Sequence, residues 1–375
     1  MADILPAEGI VLHIWSGLWD LSSFEPHSMA AVLYLQLAIP GKFRVAETSN
    51  PDTSPSGQLP YLVHEQHVVS TLPSIIKYVS DLRNADHTQY PNANLDANLT
   101  PSQKAQASAW AAHAESHLGD LVAHALYSVD DNWTKMTGPA LASMYPIPQK
   151  YYVPRRIRTS YHLKLDAAGL WNALVEEKPE DKPFQKEKIH ATQDIKSNPK
   201  VTGAFEKQKV VEKVRTELNL YQELLGTKTF LFREHPTSLD VIIAAHFILL
   251  LEPPYPDSLV KDLLAESYPS LAEYARRVHD LAFATGKPAI QPISPSFSLG
   301  LLLPSWPNRS ATTRKPLDPE DIQFNRMRWA FFGLAAGAFA TYIAIVFKDV
   351  EIKIVRAEQL EAPLKDSDGS ESASL

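Results

Sequence analysis

The order of the apolar runs between residues 10 and 80 constrains the fold most. Residues 10–15 (IVLHIW) are an apolar, β-rich run with one histidine, the pattern of a buried strand. Polar loop residues follow through Ser28, and residues 29–38 (MAAVLYLQLA) read as a helix halted by Pro40-Gly41. Residues 43–47 are a second strand candidate, so strand, helix and strand stand at the spacing of a right-handed βαβ unit. A Pro/Ser-rich loop spans 48–60. Residues 61–63 and 67–69 are then short apolar runs with a few polar residues between them, which predicts a hairpin. Pro73 suits the first turn of a helix that SIIKYV continues. The order βαβ followed by ββα in about 80 residues is that of a thioredoxin-like domain.

From Thr100 the pattern turns helical, with Leu118, Leu121, Val122 and Leu126 at helical spacing. Pro146, Pro148 and Pro154 mark an irregular stretch before a helix over 155–170. Residues 176–200 are dense in Lys, Glu, Asp and Pro and poor in apolar side chains, the composition of a solvated insertion. An amphipathic helix is expected over 206–225. Thr237-Ser238-Leu239-Asp240 is a capping-box-like start for the most apolar internal segment, VIIAAHFILLL, which is too short to cross a bilayer easily and reads as a buried core helix. One more amphipathic helix covers 267–281. Proline and serine recur from Pro288 to Pro319, as in a linker.

Residues 329–347 (WAFFGLAAGAFATYIAIVF) carry no Asp, Glu, Lys, Arg or His. As a helix such a run extends roughly 28 Å, close to the hydrocarbon thickness of a bilayer. Arg326, Arg328 and Trp329 at one end, with Tyr342 and Lys348 near the other, are interfacial residue types. A transmembrane helix is expected, with Trp329, Gly333, Gly337, Tyr342 and Phe347 as anchor residues. Gly333 and Gly337, extended by Ala340 and Ala344, offer a small-residue face for close helix packing. The simplest topology leaves the large N-terminal part in the cytosol and passes only the tail across.

The chain has 375 residues, 45% of them hydrophobic and 21% charged, enough to build a sizeable core. Its formal net charge of −7 argues against broad electrostatic binding to nucleic acid. The absence of cysteine excludes disulfides, a cysteine nucleophile and thiolate metal sites. The first fifteen residues have neither the basic start of a signal peptide nor the Arg-rich pattern of a matrix presequence.

Candidate chemistry is sparse. His113 and His117 share a helix face at i and i+4, but Glu115 points about 200° away from His113 and no third ligand is evident. Ser16, Ser22 and Ser23 follow the first strand, where a thioredoxin-like enzyme keeps its nucleophile; serine in such a loop is more often turn chemistry. No catalytic, cofactor-binding or metal residue is assigned, and no cofactor is expected.

The two halves together resemble the glutathione-transferase architecture. Gly57-Gln58-Leu59-Pro60-Tyr61-Leu62 looks like the G-x-x-P-x-L signature before the third strand, which implies a cis Leu59-Pro60 bond. The Thr237–Asp240 box matches the one opening a core helix of the transferase C-terminal domain. The transferases hold glutathione with an acid-Ser pair after the hairpin. Aligning Ile75-Ile76 with their Ile pair puts Thr71-Leu72 there, without the carboxylate. A closer resemblance is to the metaxin family, carried by VLHIWSGLWDLSS, SNPDTSPSGQLPYL, VVSTLPSIIKYV and HPTSLDVIIAAH, and covering roughly residues 10–290. With the anchor, the chain resembles the fungal metaxin-type subunit of the mitochondrial sorting and assembly machinery.

That resemblance implies an α/β plus all-α fold. Residues 1–85 would be thioredoxin-like and 86–295 helical and glutathione-transferase-like, with the insertion at 176–200. A linker at 296–328, the membrane helix at 329–347 and a polar tail at 348–375 would follow. It implies a non-enzymatic subunit on the cytosolic face of the mitochondrial outer membrane, aiding insertion, folding and release of β-barrel precursors. The implied partners are an Omp85-type β-barrel insertase core, a second metaxin-like subunit and the outer-membrane import translocase. Alternatives are a tail-anchored glutathione transferase and a mitochondrial membrane-dynamics factor.

Overall fold

The computed structural model describes residues 9–85, 88–171, 199–232 and 234–291, with positions 329–330, 333–334, 337–339 and 341–342. By contacts the chain divides into Met1–Pro295 and Ser296–Leu375.

In the first unit, β1 (Ile10–Ile14), α1 (Pro26–Ala38), β2 (Phe43–Glu47), β3 (Tyr61–His64), β4 (His67–Ser70) and α2 (Leu72–Ala85) appear in the expected order. The sheet order is β4-β3-β1-β2-β5. β1 runs parallel to β2, pairing Leu12 with Val45, and antiparallel to β3, pairing Leu12 with Leu62. One sheet face turns Ile10, Leu12, Ile14 and Leu62 into the main core. Leu59, Tyr61 and Val63 form a second, smaller cluster with Trp15.

Two features depart from the sequence reading. The first helix begins at Pro26, not Met29, because the Glu25 carboxylate caps it, accepting from the His27 and Ser28 amides at 3.1 and 2.7 Å. Glutamate is not among the preferred N-cap residues, but a proline in the first turn is pre-set for a helix. The second is β5 (Ala289–Ile290), which lies in the Pro/Ser-rich stretch read as linker. It pairs parallel with β2, and Gln291 N–H donates to Val45 O at 2.7 Å. Nearby, Gln36 donates to Gly286 O at 2.6 Å. The chain thus returns after the helices to the sheet it started from.

The helical part comprises α3 (Pro101–Ala123), the short α4 (Asp130–Asn132) and α5 (Gly138–Ser143), then α6 (Val153–Ala167) and α7 (Pro199–Leu225). α8 (Ser238–Leu251), the single-turn α9 (Leu259–Asp262) and α10 (Pro269–Phe283) complete it. α7 starts before the expected Glu206, so the last two residues of the expected insertion are helical; residues 176–198 lie outside the described residues. α8 is the buried core helix expected: every residue from Leu239 to Leu251 is buried. It packs on α3 and α10 and also on α1 of the sheet layer, so sheet and helices share one core. Burying a side chain such as Phe247 or Leu249 contributes about 1.5–3 kcal/mol, which makes α8 a main stabilising element. Asp96 ties the sheet side to this helix by accepting from Ser238 N–H at 3.0 Å.

In the second unit, the described positions of the 329–347 run are helical and exposed. A Cβ added to Gly333 or Gly337 meets nothing within 4 Å. Among the described residues no helix is long and apolar enough to cross a membrane. Ala340, Ala344 and Phe347 lie outside the described residues, as do the 296–328 linker and the 348–375 tail.

Candidate functional site

The place to look for chemistry in this architecture is the edge of the sheet where β1 ends, Pro60 enters β3 and α2 begins. Gly57, at φ +68°, closes a turn by donating to Ser54 O at 3.0 Å. The Leu59-Pro60 bond is cis, as the motif implies, and both residues are buried. Pro60 O accepts from Thr71 N–H at 3.3 Å.

Thr71 and Leu72, the pair aligned with the glutathione-holding residues, are not a polar site. Leu72 is 2% exposed and part of the main core. Thr71 sits at φ +74°, a left-handed conformation disfavoured for a β-branched residue, and its hydroxyl donates to Ser74 Oγ at 3.1 Å. The strained backbone is present without a carboxylate. Of the three loop serines, Ser23 is fully buried and its Oγ accepts from Glu25 N–H at 3.3 Å, which is turn chemistry. On β1, His13 stacks on Tyr61 with ring centroids 4.3 Å apart. Burial lowers its imidazole to about 4, so it is neutral at physiological pH.

The Thr237–Asp240 capping box forms. Asp240 Oδ2 accepts from the Thr237 N–H at 2.8 Å and its hydroxyl at 2.6 Å, while Oδ1 accepts from Leu231 N–H at 2.9 Å and Tyr274 OH at 2.8 Å. The carboxylate is saturated, so its role is to hold α8 and α10 in place.

Two polar clusters were not legible as such. A cavity of about 90 Å³ lies between α1, α3, α6 and α8, lined in part by Glu25, His27, Glu115, Lys164 and His246. Burial opposes ionisation of both Glu25 and His27. Their 2.7 Å contact outweighs it, lowering the carboxylate and raising the imidazole to about 8. His246 donates through Nδ1–H to Ile242 O at 2.8 Å, and its buried Nε2 has no hydrogen-bond partner. Burial lowers it to about 4. In the second cluster a third polar group, not evident from the sequence, stands beside His113 and His117. Glu217 on α7 comes within 3.0 Å of His117 Nδ1 and 3.8 Å of His113 Nε2. No local pattern could have found it, because the histidines and the glutamate stand on different helices about 100 residues apart.

A thioredoxin-like sheet with a cis-proline before β3, sharing its core with a helical bundle around a capped central helix, defines a glutathione-transferase-like fold. The C-terminal domain model of glutathione S-transferase matches residues 214–278. Residues 28–158 match the family described as outer mitochondrial membrane transport complex protein. Metaxin-1 of Mus musculus is 26% identical over 273 residues, covering 72% of this chain and 74% of that protein. Metaxin-3 of Danio rerio is 24% identical over 250 residues, 67% and 68% of the two chains. The chain is thus similar to the metaxins over about 70% of its length, and residues 28–158 match the model of a family associated with outer mitochondrial membrane transport. A glutathione S-transferase of Ceriporiopsis subvermispora in complex with glutathione aligns at a TM-score of 0.44 and 17% identity, covering 73% of this chain and 98% of that one.

Proposed function

We propose that this chain is a non-enzymatic subunit of the sorting and assembly machinery of the mitochondrial outer membrane, with its bulk facing the cytosol. It would aid insertion, folding and release of β-barrel precursors and couple import to insertion. Its partners would be an Omp85-type insertase core, a second metaxin-like subunit and the import translocase. In this reading residues 1–85 and 86–295 are docking domains, and 329–347 is the membrane anchor. The observation that carries it is the Thr71-Leu72 pair. The cis-proline frame is kept, but a threonine and a core leucine stand where a transferase needs a carboxylate and a serine hydroxyl. A fold kept without its reactive group serves by its surfaces. The family match to a transport-complex protein supports the same reading.

Affinity purification of the full chain from detergent-solubilised mitochondria tests it. The expected result is a β-barrel membrane protein in stoichiometric amount. Saturable glutathione binding with conjugation, lost on altering the loop before Pro60, would instead establish the transferase reading.

A further inference from the structure

His113 and His117 lie one turn apart on α3, and their rings stack with centroids 4.2 Å apart and 16° between planes. Glu217 faces them from α7, only 9% exposed. One potential ligand atom from each residue falls within 4.8 Å of the other two.

Ion pairing alone leaves this cluster incomplete. His117 Nδ1 satisfies Glu217 Oε1 at 3.0 Å. Oε2 is buried and has no hydrogen-bond partner. Its nearest neighbour, His113 Nε2, is 3.8 Å away, too far for a hydrogen bond. Leaving a buried carboxylate oxygen unpartnered is unfavourable. His113 is also oriented from behind: Tyr221, one turn beyond Glu217, meets its Nδ1 at 2.8 Å. A hydrogen bond on one ring nitrogen, leaving the other directed at a shared point, is how metal-binding histidines are commonly held. In a tetrahedral site with bonds of 2.0–2.1 Å, neighbouring ligand atoms stand about 3.3 Å apart. The three potential ligand atoms lie within 4.8 Å of one another, so small side-chain rotations bring them to that spacing.

We propose that His113, His117 and Glu217 form a site for a borderline divalent cation of the zinc class. His113 Nε2, His117 Nδ1 and one Glu217 oxygen are the protein ligands, and the fourth position is left to water. The donor set selects the ion: two imidazoles suit zinc, cobalt or copper, whereas magnesium and calcium require oxygen ligands. The His117 side chain is 43% exposed, which provides an entry path. A bound ion fastens α3 to α7 across the segment between α6 and α7.

The test uses the full chain without a histidine tag, purified in detergent, stripped with chelator and titrated with Co²⁺ alone, then with Zn²⁺ as competitor. The expected result is one equivalent of Co²⁺ with a tetrahedral d–d spectrum, displaced by Zn²⁺ and not by Mg²⁺. Glu217→Gln and His117→Asn each weaken binding at least roughly tenfold. Glu115→Gln, on another face of α3 where it lines the separate cavity, leaves it unchanged. Wild-type chain that takes up no Co²⁺ saturably overturns the proposal, as does uptake that Glu217→Gln and His117→Asn leave intact. If Glu217→Gln loses its helical circular dichroism, the more exposed His117→Asn decides.

Discussion

The Asp240 carboxylate accepts a hydrogen bond from the Tyr274 hydroxyl at 2.8 Å, joining the start of α8 to the middle of α10. Both groups are buried, and the tyrosine hydroxyl is held well above its ordinary pKa by burial and by the adjacent carboxylate. Asp240→Ala removes the acceptor for Tyr274 OH and for two buried amides, those of Leu231 and Thr237. We expect a loss of about 3 kcal/mol or more. Tyr274→Phe, which leaves the cap intact, should cost only about 1–2 kcal/mol. Urea denaturation followed by circular dichroism separates the two; equal losses would mean that the cap amides contribute little.

Thr71 holds a left-handed backbone conformation with an exposed side chain. Glycine removes the Cβ clash that costs an L-residue roughly 1–2 kcal/mol there, against a smaller entropic penalty. Thr71→Gly should therefore raise stability by about 0.5–1 kcal/mol and the melting temperature with it. A fall in melting temperature would show that the Thr71–Ser74 hydrogen bond outweighs the strain.

His246 makes the fold acid-sensitive. Burial lowers its imidazole from 6.5 to about 4 in the folded chain, and the residue is 1% exposed. Above pH 6.5 it is neutral in both states and stability is full. As pH falls from about 6.5 to 4, the unfolded chain takes up a proton that the folded chain refuses. Stability declines by about 3 kcal/mol through that window and then levels off. His246→Leu loses only the Nδ1 hydrogen bond to Ile242 O and removes an unpartnered nitrogen, so it should fold at pH 7 and show a flatter acid limb, the remaining slope coming from buried histidines such as His13. Urea midpoints at pH 7 and 4.5 in both proteins measure this; parallel declines would assign the acid sensitivity elsewhere.

The anchor reading predicts fractionation. In alkaline carbonate the full chain should stay with the membrane pellet. Leu334→Lys together with Phe339→Lys should release it, since each lysine near the centre of a span costs about 2.5–3.5 kcal/mol. Both side chains are exposed, at 76% and 66%, so the substitutions disturb no packing seen in the structure. Retention of the double variant would mean that partners, not the helix, hold the protein to the membrane.

Several elements were legible because their causes are local. The β1–α1–β2 and β3–β4–α2 order follows from short apolar runs and turn residues. Leu118, Leu121 and Val122 face the core because their spacing puts them on one side of α3. Glu25 as a cap was missed because its side chain must fold back over His27 and Ser28, a geometry that residue type does not announce. β5 was missed because two exposed residues between prolines carry no strand pattern; only the open edge of β2 makes them a strand.

The sequence by itself determined the class of fold, the buried central helix and its Thr237–Asp240 cap, since each depends on residues within a few positions of one another. It also determined that residue 71 is a threonine with no carboxylate, which is a matter of identity alone. Tertiary structure decided what Asp240 does beyond its own helix, which neighbours surround His246, and that Glu217 meets His113 and His117. Those contacts join residues brought together only when α7 and α8 pack on α3, and α8 and α10 pack on each other and on α1 of the sheet layer. Side-chain periodicity records which face is buried, but not which distant polar group the burial brings opposite.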